Sequence, residues 1–169
     1  AEKSDDIIIY YTNGVHTYID KDLRYDNIAD LKQATLATHH NVLLMDAGDH
    51  IQGTAYGSMD KGETIIRLMN AAGYDLATLG NHEFDYGMER FHELVAMAEF
   101  PYVSCNFVKE GEPVFAPYII KEFDGVKVAF LGISTPETST ASAPKYFQDE
   151  NGNFIYGFCL CFLATVVWN

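Results

Sequence analysis

Positive charge and cysteine are two things that this sequence has little of. Its 169 residues include 11 lysines and arginines against 24 aspartates and glutamates, a formal net charge of −13. So acidic a chain is a poor general surface for nucleic acid or anionic membranes, and we predict no nucleic-acid polymer among its partners. The three cysteines, Cys105, Cys159 and Cys161, show neither a zinc-ligand spacing nor a disulfide framework, which leaves the redox compartment undecided.

Long apolar runs are scarce as well. The polar opening, Ala1–Asp6, is not a signal peptide and is compatible with a processed start. Phe154–Trp168 is apolar almost throughout, but it is shorter than the ~18 residues that a transmembrane helix needs, so no membrane span is predicted. This run alternates like neither a helix nor a strand, and it is either a buried strand or a truncated or out-of-frame end. Left exposed, it would promote self-association.

The sequence does contain short apolar runs that alternate with amphipathic segments, on a chain long enough for one domain. Buried strands are predicted at Ile7–Thr12, Asn41–Met45, Leu76–Leu79 and Tyr102–Cys105, and helices at Asn27–Thr38, Ile65–Ala72 and Phe91–Ala98. This order predicts βαβ units and a largely parallel sheet. The turn Asp124-Gly125, between the apolar runs Tyr118–Phe123 and Val126–Ile133, predicts a β-hairpin. The fold class is therefore mixed α/β.

Three of the predicted strands end in polar clusters. His16 follows the first strand, Asp49 the second, and Asn81 with His82 the third. Because the carboxyl ends of parallel strands share one edge of a sheet, these side chains are expected to meet there. Imidazole nitrogen, carboxylate oxygen and amide oxygen suit divalent ions such as Zn, Mn or Fe, and Asp85 is placed to orient His82. Taken singly, each residue has a simpler interpretation as a loop histidine, an Asx turn or a helix cap. The other histidines are interpreted as solvated or packed side chains: His39, His40, His50 and His92.

Two strings within these clusters resemble the signature blocks of a known family. Gly48–Gly53 (GDHIQG) and Gly80–Asp85 (GNHEFD) look like the second and third blocks of calcineurin-like metallophosphoesterases, and they are most similar to those of the bacterial 5′-nucleotidase group. The resemblance implies a four-layer sandwich, in which helices flank two mixed β-sheets, incomplete at the C-terminus. Residues 1–150 would form the N-terminal portion of the catalytic domain, and residues 151–169 an apolar tail.

The same resemblance implies a chemistry. Two divalent metal ions would be bridged by Asp49, with Asn81 and His16 as further ligands. A metal-activated water would hydrolyse a phosphate ester, and the expected substrate is a nucleoside 5′-monophosphate or a related nucleotide. His82 would protonate the leaving group or stabilise the transition state, and Asp85 would orient it. By the same resemblance the protein would be extracellular, periplasmic or on the cell surface.

Two departures from the family pattern weigh against full activity. The first block of the family is Asp-x-His, but here Gly14 stands at the aspartate position before His16, so a ligand and a negative charge are missing. The family completes its metal sites with later histidines, and this sequence has none after His92. We therefore expect this chain to be impaired. The alternatives are an inactive fragment or variant that binds at most one metal ion, and a non-enzymatic binding module.

Overall fold

A parallel sheet forms the centre of the fold in the computed structural model, which describes residues 2–20 and 24–159. Its strands, hydrogen-bonded in the order β1-β2-β3, are β1 (Ser4–Thr12), β2 (His39–Asp46) and β3 (Leu76–Ala77). Thr12 lies opposite Asp46, which in turn lies opposite Ala77. This register brings the carboxyl ends of the three strands to one edge of the sheet, as the predicted βαβ pattern requires.

Helices follow each of these strands: α1 (Tyr25–Leu36), α2 (Ala55–Met59), α3 (Glu63–Ala72) and α4 (Met88–Met97). The most clearly amphipathic is α3, whose Ile65, Ile66 and Met69 are fully buried. It ends at Gly73, which adopts the left-handed conformation (φ +74°) and donates its backbone N–H to the carbonyl of Asn70. The three helices with an apolar period, α1, α3 and α4, were predicted, whereas α2, with five residues, was not.

Both faces of the sheet are covered. Neighbouring residues of a strand point to opposite faces, so each belongs to a different core. Leu44 belongs to the larger core, which the helices share with a cluster of aromatic rings that includes Phe84 and Phe91. Leu43 belongs to a smaller core on the other face, where it packs with Phe123 and Phe130. The described chain is thus built as a helix layer, a parallel sheet and a hairpin layer.

The second half of the chain contains short elements: β4 (Phe107–Lys109), β5 (Glu112–Pro113), β6 (Tyr118–Phe123), β7 (Val126–Leu131), α5 (Thr138–Ala141) and β8 (Tyr156–Phe158). Strands β6 and β7 form the predicted hairpin. The antiparallel sheet β5-β4-β8 was not predicted, because strands of two or three residues are too short to show a periodicity. Two 3₁₀ turns, His82–Phe84 and Pro144–Phe147, complete this inventory.

The predicted strand Tyr102–Cys105 is present only as isolated bridges. Val103 donates its N–H to the carbonyl of Ala77, Ser104 donates to that of Ala116, and Cys105 donates to that of Gly132. The segment is extended and buried, as its apolar residues indicated, but each bond goes to a different neighbour. The predicted strand Leu76–Leu79 is likewise shorter, since the ladder with β2 ends at Ala77.

The apolar C-terminal run is only partly within the described chain. Its strand β8 pairs with β4, and Phe158 packs 5.1 Å from Phe107 between ring centroids. The remainder of the run, residues 160–168, lies outside the described residues, so the predicted tail and the self-association assigned to it stay predictions. Within the described part of the chain, no helix has the length and apolar composition needed to cross a membrane.

Candidate active site

The loops after β1, β2 and β3 meet at the carboxyl edge of the sheet. The N–H of Gly14 donates to the carbonyl of Gly48 (3.0 Å), and the N–H of His16 donates to the carbonyl of Asp49 (2.9 Å). The loop after β1 therefore runs along the loop after β2. The His16 ring contacts the His82 ring edge to face, with the centroids 4.9 Å apart. Three residues predicted from separate strand ends are thus neighbours in space.

Asp49 is held in a tightly constrained position. It adopts a left-handed backbone conformation (φ +61°), which few residues other than glycine tolerate, and its Oδ1 accepts a hydrogen bond from the His82 N–H (2.9 Å). A side chain at Gly80 would be impossible without a shift, because its Cβ would lie 2.2 Å from Asp49 Oδ1. Glycine at position 80 is therefore required for the carboxylate of Asp49 to lie where it does.

His82 and Asp85 form a hydrogen-bonded pair at the surface of this edge. The two residues lie in and just after the 3₁₀ turn His82–Phe84, and His82 Nδ1 lies 2.6 Å from Asp85 Oδ2. Their side chains are 33% and 22% exposed, so a ligand can reach the imidazole. The bond to Asp85 makes Nδ1 the protonated donor and leaves Nε2 for proton exchange with a ligand. Asn81, half-buried, precedes this turn and lies between Gly80 and His82.

Glu83 joins two of the loops from below, and the sequence interpretation assigned it no role. Its carboxylate, 1% exposed, accepts backbone N–H bonds from Gly80 (2.6 Å), Asp49 (2.9 Å) and His50 (2.8 Å). One side chain thus satisfies three donors from the loop after β2 and the loop after β3. An acidic residue in a polar turn ordinarily faces water, so local sequence contained no signal that this one is buried.

His50, interpreted from the sequence as packed or solvated, is fully buried between two carboxylates. Its Nδ1 lies 2.7 Å from Asp46 Oδ1 and 3.4 Å from Glu83 Oε1, and its Nε2 lies 2.8 Å from the Tyr102 hydroxyl. Burial alone would lower the pKa of His50, but the charges of Glu83 and Asp46 outweigh it and raise that pKa to about 9. The charged imidazolium offsets one of the two negative charges of the buried pair Asp46 and Glu83.

The donors at this edge suit a metal ion in kind but not in number. His16 Nδ1 lies 3.2 Å from the carbonyl of Gln52, an arrangement that leaves Nε2 as the ligand atom, and Asp49 and Asn81 contribute oxygens nearby. Gly14 contributes none, although a Cβ there would lie 3.8 Å from His16 Nε2. Across residues 2–20 and 24–159, no three His, Cys, Asp or Glu side chains are grouped so as to hold an ion. The described residues therefore do not fit a two-metal centre.

Comparison with known proteins settles the family. The family model described as calcineurin-like phosphoesterase matches residues 11–153, most of the chain. The chain belongs to the calcineurin-like phosphoesterase family. Membership confirms the resemblance noted in the GDHIQG and GNHEFD strings, and it implies a metal-dependent phosphoesterase ancestry with divalent ions, whose identity it leaves open.

Relatives and solved structures agree with this assignment. The chain is 35% identical over 175 residues to snake venom 5′-nucleotidase of Gloydius brevicauda, covering 89% of this chain and 29% of the relative. It is 34% identical over 165 residues to a 2′,3′-cyclic-nucleotide 2′-phosphodiesterase/3′-nucleotidase of Haemophilus influenzae, covering 80% and 25%. The crystal structure of calcineurin-like phosphoesterase YfkN from Bacillus subtilis matches with a TM-score of 0.71 at 29% identity, over 90% of this chain and 53% of that one.

These coverages bear on the predicted fold. The chain spans less than a third of the length of the two curated relatives, and it matches about half of the YfkN chain. The mixed α/β class and the resemblance to an incomplete phosphoesterase sandwich are confirmed by the structural match. The assigned roles of His16, Asp49, Asn81, His82 and Asp85 stay predictions, although the structure places all five at one edge of the sheet.

Proposed function

We propose that this chain carries the leaving-group side of a nucleotide phosphoesterase site, with His82 as the general acid. The hydrogen-bonded pair of His82 and Asp85 is the observation that carries the proposal, because it presents an exposed imidazole whose ring is already oriented. Positioned acid catalysis of this kind contributes ~10²–10⁴-fold to a rate. The relatives support a nucleotide as the ester, since the names of both curated relatives describe enzymes acting on nucleotides.

The residues divide the work as follows. His82 would release its Nε2 proton to the bridging oxygen as the phosphorus–oxygen bond breaks, so the alcohol departs neutral. Asp85 holds the opposite ring nitrogen and fixes the tautomer. Asp49 accepts a hydrogen bond from the His82 backbone N–H and so positions His82 relative to the loop after β2. Because the described residues do not fit a two-metal centre, we assign to this chain no step in the activation of the attacking water.

A second candidate is a variant that binds phosphate esters with little turnover, or at most one metal ion. The specific observation in its favour is Gly14, which brings no side chain to the position facing His16 Nε2. Placement outside the cytoplasm, in secreted, periplasmic or surface-bound form, is also part of the proposal. It is supported by relatives named as a snake venom enzyme and a 5′-nucleotidase precursor.

A leaving-group comparison tests the acid. Phosphate release would be measured for the full chain with Mn²⁺ or Zn²⁺, on a nucleoside 5′-monophosphate and on p-nitrophenyl phosphate. His82→Asn should reduce turnover of the nucleotide ~10²–10⁴-fold and turnover of the aryl ester far less, because a nitrophenolate departs without protonation. His40→Asn, at an exposed site away from this edge, is the matched control. Equal losses on both substrates would contradict an acid role for His82, and no release by the unmodified chain would favour the second candidate.

A further inference from the structure

The carboxylate of Asp85 is held from two sides. Its Oδ2 lies 2.6 Å from His82 Nδ1, and its Oδ1 accepts a hydrogen bond from Ser142 Oγ at 3.2 Å. Within residues 2–20 and 24–159 these are the side chains that bond to it. Ser142 is 57 positions from Asp85 in sequence, lies outside both signature strings, and is buried at 6% exposure.

Packing on both sides of Ser142 determines where its hydroxyl lies. On one side, its backbone N–H donates to the Thr138 carbonyl and ends α5 (3.1 Å). On the other, the turn Pro144–Phe147 inserts the fully buried ring of Phe147 against Phe84, with centroids 5.1 Å apart. An apolar contact therefore joins this segment to the 3₁₀ turn His82–Phe84.

The same turn is also packed against the residues after Asp85. The Tyr146 ring lies against Gly87, where an added Cβ would come within 3.4 Å of it. The segment from Ser142 to Phe147 thus lines the chain from Phe84 to Gly87. The hydroxyl of Ser142 meets Asp85 because these apolar contacts place the two backbones side by side.

We propose that Ser142 is a positioning residue for the His82–Asp85 pair. A carboxylate bonded through one oxygen only can turn about its terminal torsion, which is broad and nearly two-fold. A second bond, to the other oxygen, fixes the plane of the carboxylate and with it the plane of the imidazole that donates to it. Ser142 acts through Asp85 and does not touch the reacting atoms. Its role in catalysis rests on the proposed function, whereas its effect on the His82 ring does not.

The effect on the ring is measured by NMR on the full chain, at one pH and without metal or substrate. The signals are the His82 Nδ1–H proton, its exchange rate with water, and the two imidazole nitrogen shifts. In Ser142→Ala we expect exchange of this proton to accelerate roughly threefold to tenfold, as the loss of about one hydrogen bond implies. Ser139→Ala, on the same helix but bonded to the Pro136 carbonyl, should leave these signals unchanged.

A graded variant keeps the test decisive. Ser142→Cys retains the size of the side chain but substitutes a weaker donor, so it should lie between the wild type and Ser142→Ala. If the backbone amide spectrum shows that Ser142→Ala has lost its fold, the cysteine variant alone decides. Signals of His82 that are the same in the wild type and in the folded Ser142 variants would overturn the proposed role.

Kinetics separates this role from the proposed function. On a nucleoside monophosphate, Ser142→Ala should lower kcat roughly threefold to tenfold with KM unchanged, and the loss should shrink on p-nitrophenyl phosphate. A change in KM alone would overturn positioning of the acid. If the wild-type chain releases no phosphate at all, the proposed function fails, while the NMR comparison still shows whether Ser142 orients the pair.

Discussion

The two sides of the candidate site are built very differently. On the side of Gly80–Asp85, buried charges hold the loops. Glu83 accepts hydrogen bonds from three backbone N–H groups, and the positive charge of His50 lies between the carboxylates of Glu83 and Asp46. On the side of Asn13–His16, the loop is joined to the loop after β2 by backbone hydrogen bonds from Gly14 and His16 and by one from the His16 ring. Asn13 and Gly14 are exposed.

This difference bears on which part of the proposed chemistry the chain would carry. A buried carboxylate that accepts three backbone N–H bonds confines the loops that carry Asp49 and His82 to one geometry, since any departure leaves buried donors unsatisfied. Among its described residues, the loop after β1 contains no buried charge. Its buried Thr17 hydroxyl accepts a hydrogen bond from the Thr54 N–H (2.7 Å), and the ligand that the loop would present is missing at Gly14. Buried charge therefore holds the side that carries His82, whereas the side of Gly14 lacks a ligand for a metal ion.

Removing Glu83 should have the largest effect on stability, because it removes the buried carboxylate that distinguishes the side of Gly80–Asp85 from the side of Asn13–His16. Glu83→Ala leaves three buried N–H groups without an acceptor and the charge of His50 with Asp46 as its remaining carboxylate partner, and we expect a loss of about 3–5 kcal/mol in the free energy of unfolding. Glu83→Gln, which keeps one acceptor oxygen, should lose less. Denaturant titration of both variants measures this.

The matched control for Glu83 is Glu89→Ala, at an exposed position in the first turn of α4. A surface substitution of this kind should change stability by no more than about 0.5 kcal/mol. Hydrogen exchange locates the effect: in Glu83→Gln the amides of Gly80, Asp49 and His50 should lose protection before the core of α3 does. A uniform loss of protection across the chain would contradict a local role for Glu83.

Placing a carboxylate at Gly14 should supply the metal ligand that the side of Asn13–His16 lacks. The unmodified chain is expected to bind Zn²⁺ or Mn²⁺ weakly, around Asp49 and Asn81, and Gly14→Asp should strengthen binding by ~10–100-fold. Because Gly14 has φ +60°, any side chain there is strained, and Gly14→Ala supplies the same strain without the ligand. Titration calorimetry on the three proteins is the measurement, and two tight sites in the unmodified chain would refute the expectation.

The buried charge of His50 should make stability depend on pH, which is the smallest of these effects. Its pKa is raised from 6.5 to about 9 in the folded protein, so its stabilising contribution is complete below pH 6.5 and is lost as pH rises through 9. Between pH 7 and pH 8 the free energy of unfolding should fall by at most about 1.4 kcal/mol from this group.

Two variants separate His50 from the remaining titrating groups. In His50→Gln the free energy of unfolding should fall less between pH 7 and pH 8 than in the unmodified protein. In His40→Gln, at an exposed position, the fall should persist. Urea titrations at several pH values measure the slope. A slope that is the same in all three proteins would show that His50 is not the group responsible.

Regular elements with a strong period were predictable from the sequence. The spacing of Ile65, Leu68, Met69 and Ala72 predicted α3, and the turn at Asp124-Gly125 predicted the β6–β7 hairpin, because both patterns are local. The short sheet of β4, β5 and β8 was not predictable, since it depends on Phe107 meeting Phe158 from the far end of the described chain.

By itself, the sequence determined the family, the parallel strand ends and the residue types displayed there, because motif letters and apolar spacing are local properties of the chain. Only the tertiary structure decided that Glu83 is buried beneath two loops, that His50 carries a charge between carboxylates, and that Ser142 bonds to Asp85. Each of these depends on a contact between segments distant in sequence. Burial and bonding partners, which decide whether a polar side chain is solvated or structural, are properties of the packed fold.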